Sequence, residues 1–124
     1  MGIPSENAGG LLKAAKLADY EDMPFMLFSL RETLGQEAEG RLKTLAECLE
    51  SGDHEAAGRM AHSLAGGAAY LGMELVREKA LEMENCLRRG DAVGARKAHR
   101  GFPDLFRRSM EALDRYIARM KKNA

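Results

Sequence analysis

Ala61-His62-Ser63-Leu64-Ala65-Gly66-Gly67-Ala68-Ala69-Tyr70-Leu71-Gly72 reads as a helical stretch with one histidine set among small residues. On a wheel of about 100° per residue, Leu64, Met60, Ala57, Ala68 and Leu71 gather on one side and form a buried stripe. His62 lies opposite, surrounded by Glu55, Gly58, Arg59, Ala65, Gly66 and Ala69. An imidazole on so bare a face is open to close approach by another protein. Gly66 and Gly67 each cost roughly 1 kcal/mol of helix stability relative to alanine, so something other than helix propensity keeps them. A lone helical histidine is ordinarily structural or plain surface. The small residues around this one and the leucine stripe behind it set it apart.

Outward from this stretch, breakers divide the chain into helices. Gly72 is the expected left-handed stop, and Asp53, after Ser51-Gly52, is the expected N-cap. Pro24 suits the first turn of the preceding helix, predicted over 24–50. Its apolar positions include Phe25, Phe28, Leu34, Ala38, Leu42, Leu45 and Leu49, and Gly35 and Gly40 weaken its middle enough to allow a bend. A helix over 73–89 follows. Leu75, Val76, the stem of Lys79, Met83, Cys86 and Leu87 are available to its core, with Gly90 as stop and Asp91 as the next cap. The last helical stretch, 92–122, carries Gly101 and Pro103 and should kink or break near Phe102. Phe106, Met110, Leu113, Ile117 and Met120 continue its buried stripe. Residues 11–18 make a short leading helix, and 1–10 read as a flexible tail or linker. Short turns between long amphipathic helices give antiparallel neighbours. The predicted fold is all-α: an up-down antiparallel four-helix bundle over 11–122 with a short additional N-terminal helix.

A chain of 124 residues is one domain with a single core. Net charge is zero, yet residues 1–62 carry −5 and residues 63–124 carry +5. Two readings are open: helix faces of opposite sign packing together, or a polarised surface that steers a charged partner. Among Arg107-Arg108, Arg115, Arg119 and Lys121-Lys122 aromatic interleaving is poor and the overall charge is zero, so no nucleic acid is expected. No apolar run reaches the length of a membrane span, and no signal peptide is evident. Cys48 and Cys86 form no CxxC pair and read as reduced core residues of a cytoplasmic protein. His54 and His99 read as surface residues. With His62 they make no metal spacing, so no metal and no bound cofactor is expected.

The stretch resembles the signature of the histidine-containing phosphotransfer family, close to A-H-x-L-K-G-x-A-x-x-L-G. Ala61, His62, Leu64, Gly66, Ala68, Leu71 and Gly72 match it position for position, and the helical pattern resembles the family over about 11–122. One position departs. The family usually has lysine three residues after the histidine, beside the phosphorylated ring, and this chain has Ala65. Arg59, one turn before His62, is read either as a replacement for that charge or as a solvated surface arginine.

The resemblance implies a phosphocarrier rather than an enzyme. His62 would accept a phosphoryl group from the aspartyl phosphate of a receiver domain and pass it to another receiver. The magnesium ion and most catalytic groups would belong to the receiver. Partners implied are response-regulator receivers and a hybrid sensor histidine kinase. The chain would stand alone as a monomer or be cut from such a kinase. Gly66, on the His62 side one turn later, leaves room for the phosphoryl group. Arg59, Ser63, Ala65 and Ala69 complete the set expected to support the phosphate or access to it. Ser63 is equally read as an ordinary exposed helix residue. The alternative is an adaptor that docks receivers or a kinase without carrying phosphate. Ala65 favours that alternative, and retention of His62 and Gly66 opposes it.

Overall fold

Turn chemistry sets the helix boundaries. The structure, a computed structural model, describes residues 10–123. They form α1 (Ala14–Leu17), α2 (Pro24–Ser51), α3 (His54–Tyr70), α4 (Glu74–Arg88), α5 (Ala92–His99) and α6 (Phe102–Asn123), with a 3-10 turn at Ala18–Tyr20. There is no strand among the described residues. The expected tail over 1–10 lies outside them except for Gly10. Asp53 accepts a hydrogen bond at Oδ1 from the Ala56 N–H at 3.2 Å, and Asp91 accepts one from the Gly94 N–H at 2.8 Å. Each satisfies an N–H that its helix leaves open. Pro24 stands in the first turn of α2, which runs unbroken for 28 residues through Gly35 and Gly40. The predicted last stretch is two helices, because Arg100 is extended and Gly101 adopts φ +75°.

Gly72 does more than end α3. Its φ is +65°, and the Met73 N–H reaches back to the Ala68 carbonyl at 2.9 Å. A Cβ here would sit 3.2 Å from Leu17 Cγ and 3.3 Å from the Lys13 carbonyl oxygen. The leading segment is therefore laid directly over the α3–α4 turn. The Lys13 N–H donates to the Gly72 carbonyl at 2.7 Å, and the Tyr20 hydroxyl donates to the Tyr70 carbonyl at 2.6 Å. Leu12 and Leu17 of this strap are themselves buried, so the end of α3 is covered by chain.

α3 and α4 pack along each other most extensively. α2 covers α3 from another side, and α5 folds against α4. Ala57, Ala61, Leu64 and Ala68 of α3 are buried, as are Val76, Ala80, Met83, Cys86 and Leu87 of α4, and Phe102, Phe106, Leu113 and Ile117 of α6. Met60, expected in the stripe, is only partly buried. In α2 one of the apolar positions, Phe25, stays out of the core. Phe25 is 81% exposed, and Leu27 is the buried residue of that turn. Phe25 lies nine residues before Leu34, a half-turn out of phase with it. His99 is also not a plain surface residue. It is half-buried, its Nε2 has no hydrogen-bond partner, and its ring lies 6.5 Å from that of Phe102. Both cysteines are free, with Cys86 buried and Cys48 half-buried. No described helix is long and apolar enough to cross a membrane.

Candidate functional site

His62 projects from the middle of α3 with its side chain 74% exposed. Its neighbour is on another helix. Glu84 of α4 approaches Nδ1 at 3.1 Å through Oε2 and 3.3 Å through Oε1. The Glu84 side chain is only 14% exposed, and its second support is Arg88, whose Nη2 donates to Oε2 at 2.9 Å. An ionised carboxylate only accepts hydrogen bonds, so its partner nitrogen carries the proton. With Nδ1–H directed at Glu84, Nε2 holds the lone pair of the neutral ring and points away from that contact. The arrangement fixes both tautomer and ring orientation. It also puts a negative charge where it can balance an imidazolium.

Small residues make this geometry possible. Ala61, Ala65 and Ala68 are buried on the flank of α3 that the other helices cover. Ala65 is 5% exposed, which corrects its expected place on the open face around His62. It lies 60° from His62 toward the buried arc. That arc centres on Ala61 and Ala68 rather than on Leu64, because α4 packs so closely along α3. Gly66 and Ala69 are exposed, as expected, and Ser63 is half-exposed. A Cβ at Gly66 would meet nothing within 4 Å, whereas one at Gly67 would lie 3.0 Å from Leu34 Cδ1 of α2. The two adjacent glycines thus answer different demands. Gly67 lets α2 close on α3, and Gly66 leaves bare space one turn beyond the imidazole.

A groove of about 740 Å³ runs from His62 toward the start of α3, over Gly58 and Leu87, with His54 at its far end. Arg59 and Arg88 stand along it. Arg59 is exposed and pairs with Glu55 at 3.0 Å on its own helix, while Arg88 is the cation linked through Glu84 to the histidine. Sequence reasoning missed Glu84 and Arg88. Their i,i+4 spacing reads as an ordinary surface pair supporting α4, and the 22 residues between His62 and Glu84 hide the contact. Only the packing of α3 on α4 reveals it.

The model of the Hpt domain family matches residues 29–121, which contain α3, α4 and every residue of this constellation. The chain belongs to the Hpt domain family. Hpt domains are helical-bundle phosphotransfer modules of two-component phosphorelays, carriers that interact with receiver domains. No curated protein and no solved structure matches the chain.

Proposed function

We propose that His62 is the phosphoacceptor of this Hpt domain and exchanges a phosphoryl group with the phosphorylated aspartate of a receiver. The observation that carries the reading is the pairing of an exposed imidazole with a nearly buried carboxylate at Nδ1. Nε2 attacks phosphorus in line, the N–P bond forms, and the acyl phosphate P–O bond breaks. The receiver's carboxylate leaves with the electron pair. Nδ1 keeps its proton, the ring becomes cationic, and Glu84 balances that charge without moving. Phosphoryl transfer demands positioning and charge compensation more than acid–base help from the acceptor. This chain supplies the oriented nucleophile and the bare approach at Gly66 and Ala69. Arg88 and Arg59 are cations within the same groove, and Arg88 takes the part that the sequence offered to Arg59. Ser63 and Ala65 stay peripheral in this reading, since Ala65 is covered. Charge neutralisation on the phosphoryl group comes chiefly from the receiver and its magnesium ion, in the cytoplasm. The same reading takes α2, α3, α4 and the α5–α6 pair as an up-down four-helix bundle, supported by the short turns at 52–53, 71–73 and 89–91.

The test is transfer from a phosphorylated receiver to the wild-type chain and to His62→Gln in parallel. Acid-labile label on the wild type alone is expected. Equal labelling of both, or binding of the receiver without any label, overturns the carrier reading, the latter in favour of an adaptor. Glu84 acts as a positioning residue, so Glu84→Ala is expected to slow transfer about tenfold, ~1.4 kcal/mol of barrier. Nitrogen chemical shifts of His62 should then show both tautomers, where the wild type holds one. Unchanged shifts would remove Glu84 from the mechanism.

A further inference from the structure

The start of α2 and the end of α6 leave an apolar surface that the phosphotransfer site does not use. Phe25, Met23 and Met26 are exposed there together. Phe25 packs edge-on against Phe28, with centroids 6.1 Å apart and planes at 82°, yet stays 81% exposed and stands as a knob on the surface. Phe25 itself forms part of the lip of an open cleft of about 880 Å³, whose other walls are Phe28, Tyr116 and Met120. Glu21 and Lys121 stand on the rim of that cleft. Lys121 lies 4.9 Å from the Phe28 ring centroid and keeps its ammonium at the rim. Knob, cleft and one charge of each sign thus lie side by side on one surface.

We propose that this surface joins two copies of the chain about a two-fold axis, each inserting Phe25 into the other's cleft. A patch that carries both a projection and its own receptacle is what an isologous contact requires. The two-fold axis also brings Glu21 of each copy to Lys121 of the other, so both lips are matched in charge. A partner of another kind would have to supply a cleft for Phe25 and a side chain for this cleft. A second copy brings both. The resemblance implied a monomer, and this surface departs from that. Phe25 is a half-turn from Leu34, the α2 residue that meets Gly67 of α3. The contact therefore faces away from α3 and leaves His62 open in the dimer. So small a patch gives a weak, concentration-dependent pair.

Sedimentation equilibrium of the full chain from micromolar to millimolar concentration tests the proposal. The wild-type mass should rise from 13.6 kDa toward twice that value. Phe25→Glu should hold it at the monomer while leaving phosphate acceptance at His62 unchanged. Glu21→Lys alone and Lys121→Glu alone should each lose association, because every lip then carries one sign. An equimolar mixture of these two variants should regain it, since each lip of one then faces the opposite sign on the other. A wild type that stays monomeric throughout overturns the proposal. So does a dimer indifferent to Phe25→Glu, or a mixture that associates no better than its components.

Discussion

Gly66 and Gly67 are the same residue in adjacent positions, and they separate stability from function. Both sit inside α3, where glycine costs roughly 1 kcal/mol against alanine. At Gly66 nothing opposes a methyl group, so Gly66→Ala should raise stability by about 0.5–1 kcal/mol. The same methyl projects toward the approach to Nε2 one turn away, so transfer should slow while melting improves. At Gly67 the gain in propensity is opposed by Leu34, whose Cδ1 would lie 3.0 Å from the new carbon. Gly67→Ala should therefore be neutral or destabilising, with α2 shifted off α3. Thermal melts and transfer rates measured on both variants check the pair. A Gly66→Ala variant that transfers as fast as wild type would reduce Gly66 to a mere gap in the surface.

Elements were legible where their signals were local. Asp53, Gly72, Gly90 and Asp91 mark boundaries through bonds that span only three to five residues, and the sequence displays such bonds directly. Which of Phe25 and Leu27 is buried was not legible, because a helix of 28 residues offers several apolar phases. The chosen partner of α2 decides which phase is buried, and no residue of α2 announces that partner. Glu84 was invisible for the same reason at larger scale. His99 shows how burial arises from a break. Gly101 turns α6 back so that Phe102 comes against the ring, and burial lowers the His99 pKa below its ordinary 6.5. The unfolded chain then binds a proton at a pH where the folded chain does not. Stability should be full above about pH 6.5 and should fall as pH drops through the window beneath it. Comparing urea midpoints of wild type and His99→Gln at about pH 7.5 and about pH 5.5 isolates this part. The wild type should lose more on acidification than the variant. Equal losses would mean that the ring is hydrated in solution.

Across the whole molecule, many of the ion pairs among the described residues form within one helix rather than between the two oppositely charged halves. Glu37–Arg41, Glu55–Arg59, Glu84–Arg88, Asp104–Arg107 and Asp104–Arg108 are ion pairs within single helices. Arg31 and Asp114 instead join α2 to α6, by two bonds of 2.6 and 3.0 Å, and they run against the trend. The cation comes from the acidic half and the anion from the basic half. Arg31 is held charged by its hydrogen bonds to that carboxylate, which push its pKa above the usual arginine range. Asp114 is half-exposed, so solvent screening keeps the pair modest despite its bidentate geometry. A double-mutant cycle on Arg31→Met and Asp114→Asn should return a coupling of about 0.5–1 kcal/mol that shrinks in high salt. Gly35 belongs to the same device. A Cβ there would collide with the Arg31 guanidinium where it lies along α2. Moving that flexible head costs little in itself, but it takes the fork out of register with Asp114. Gly35→Ala should thus gain nearly the whole helix-propensity increment, roughly 1 kcal/mol, in an Arg31→Met background. It should gain clearly less in the wild type, where the same methyl breaks the bridge. Equal gains in both backgrounds would show that Arg31 reaches Asp114 by another path, and that the glycine is there for a reason unconnected with this pair.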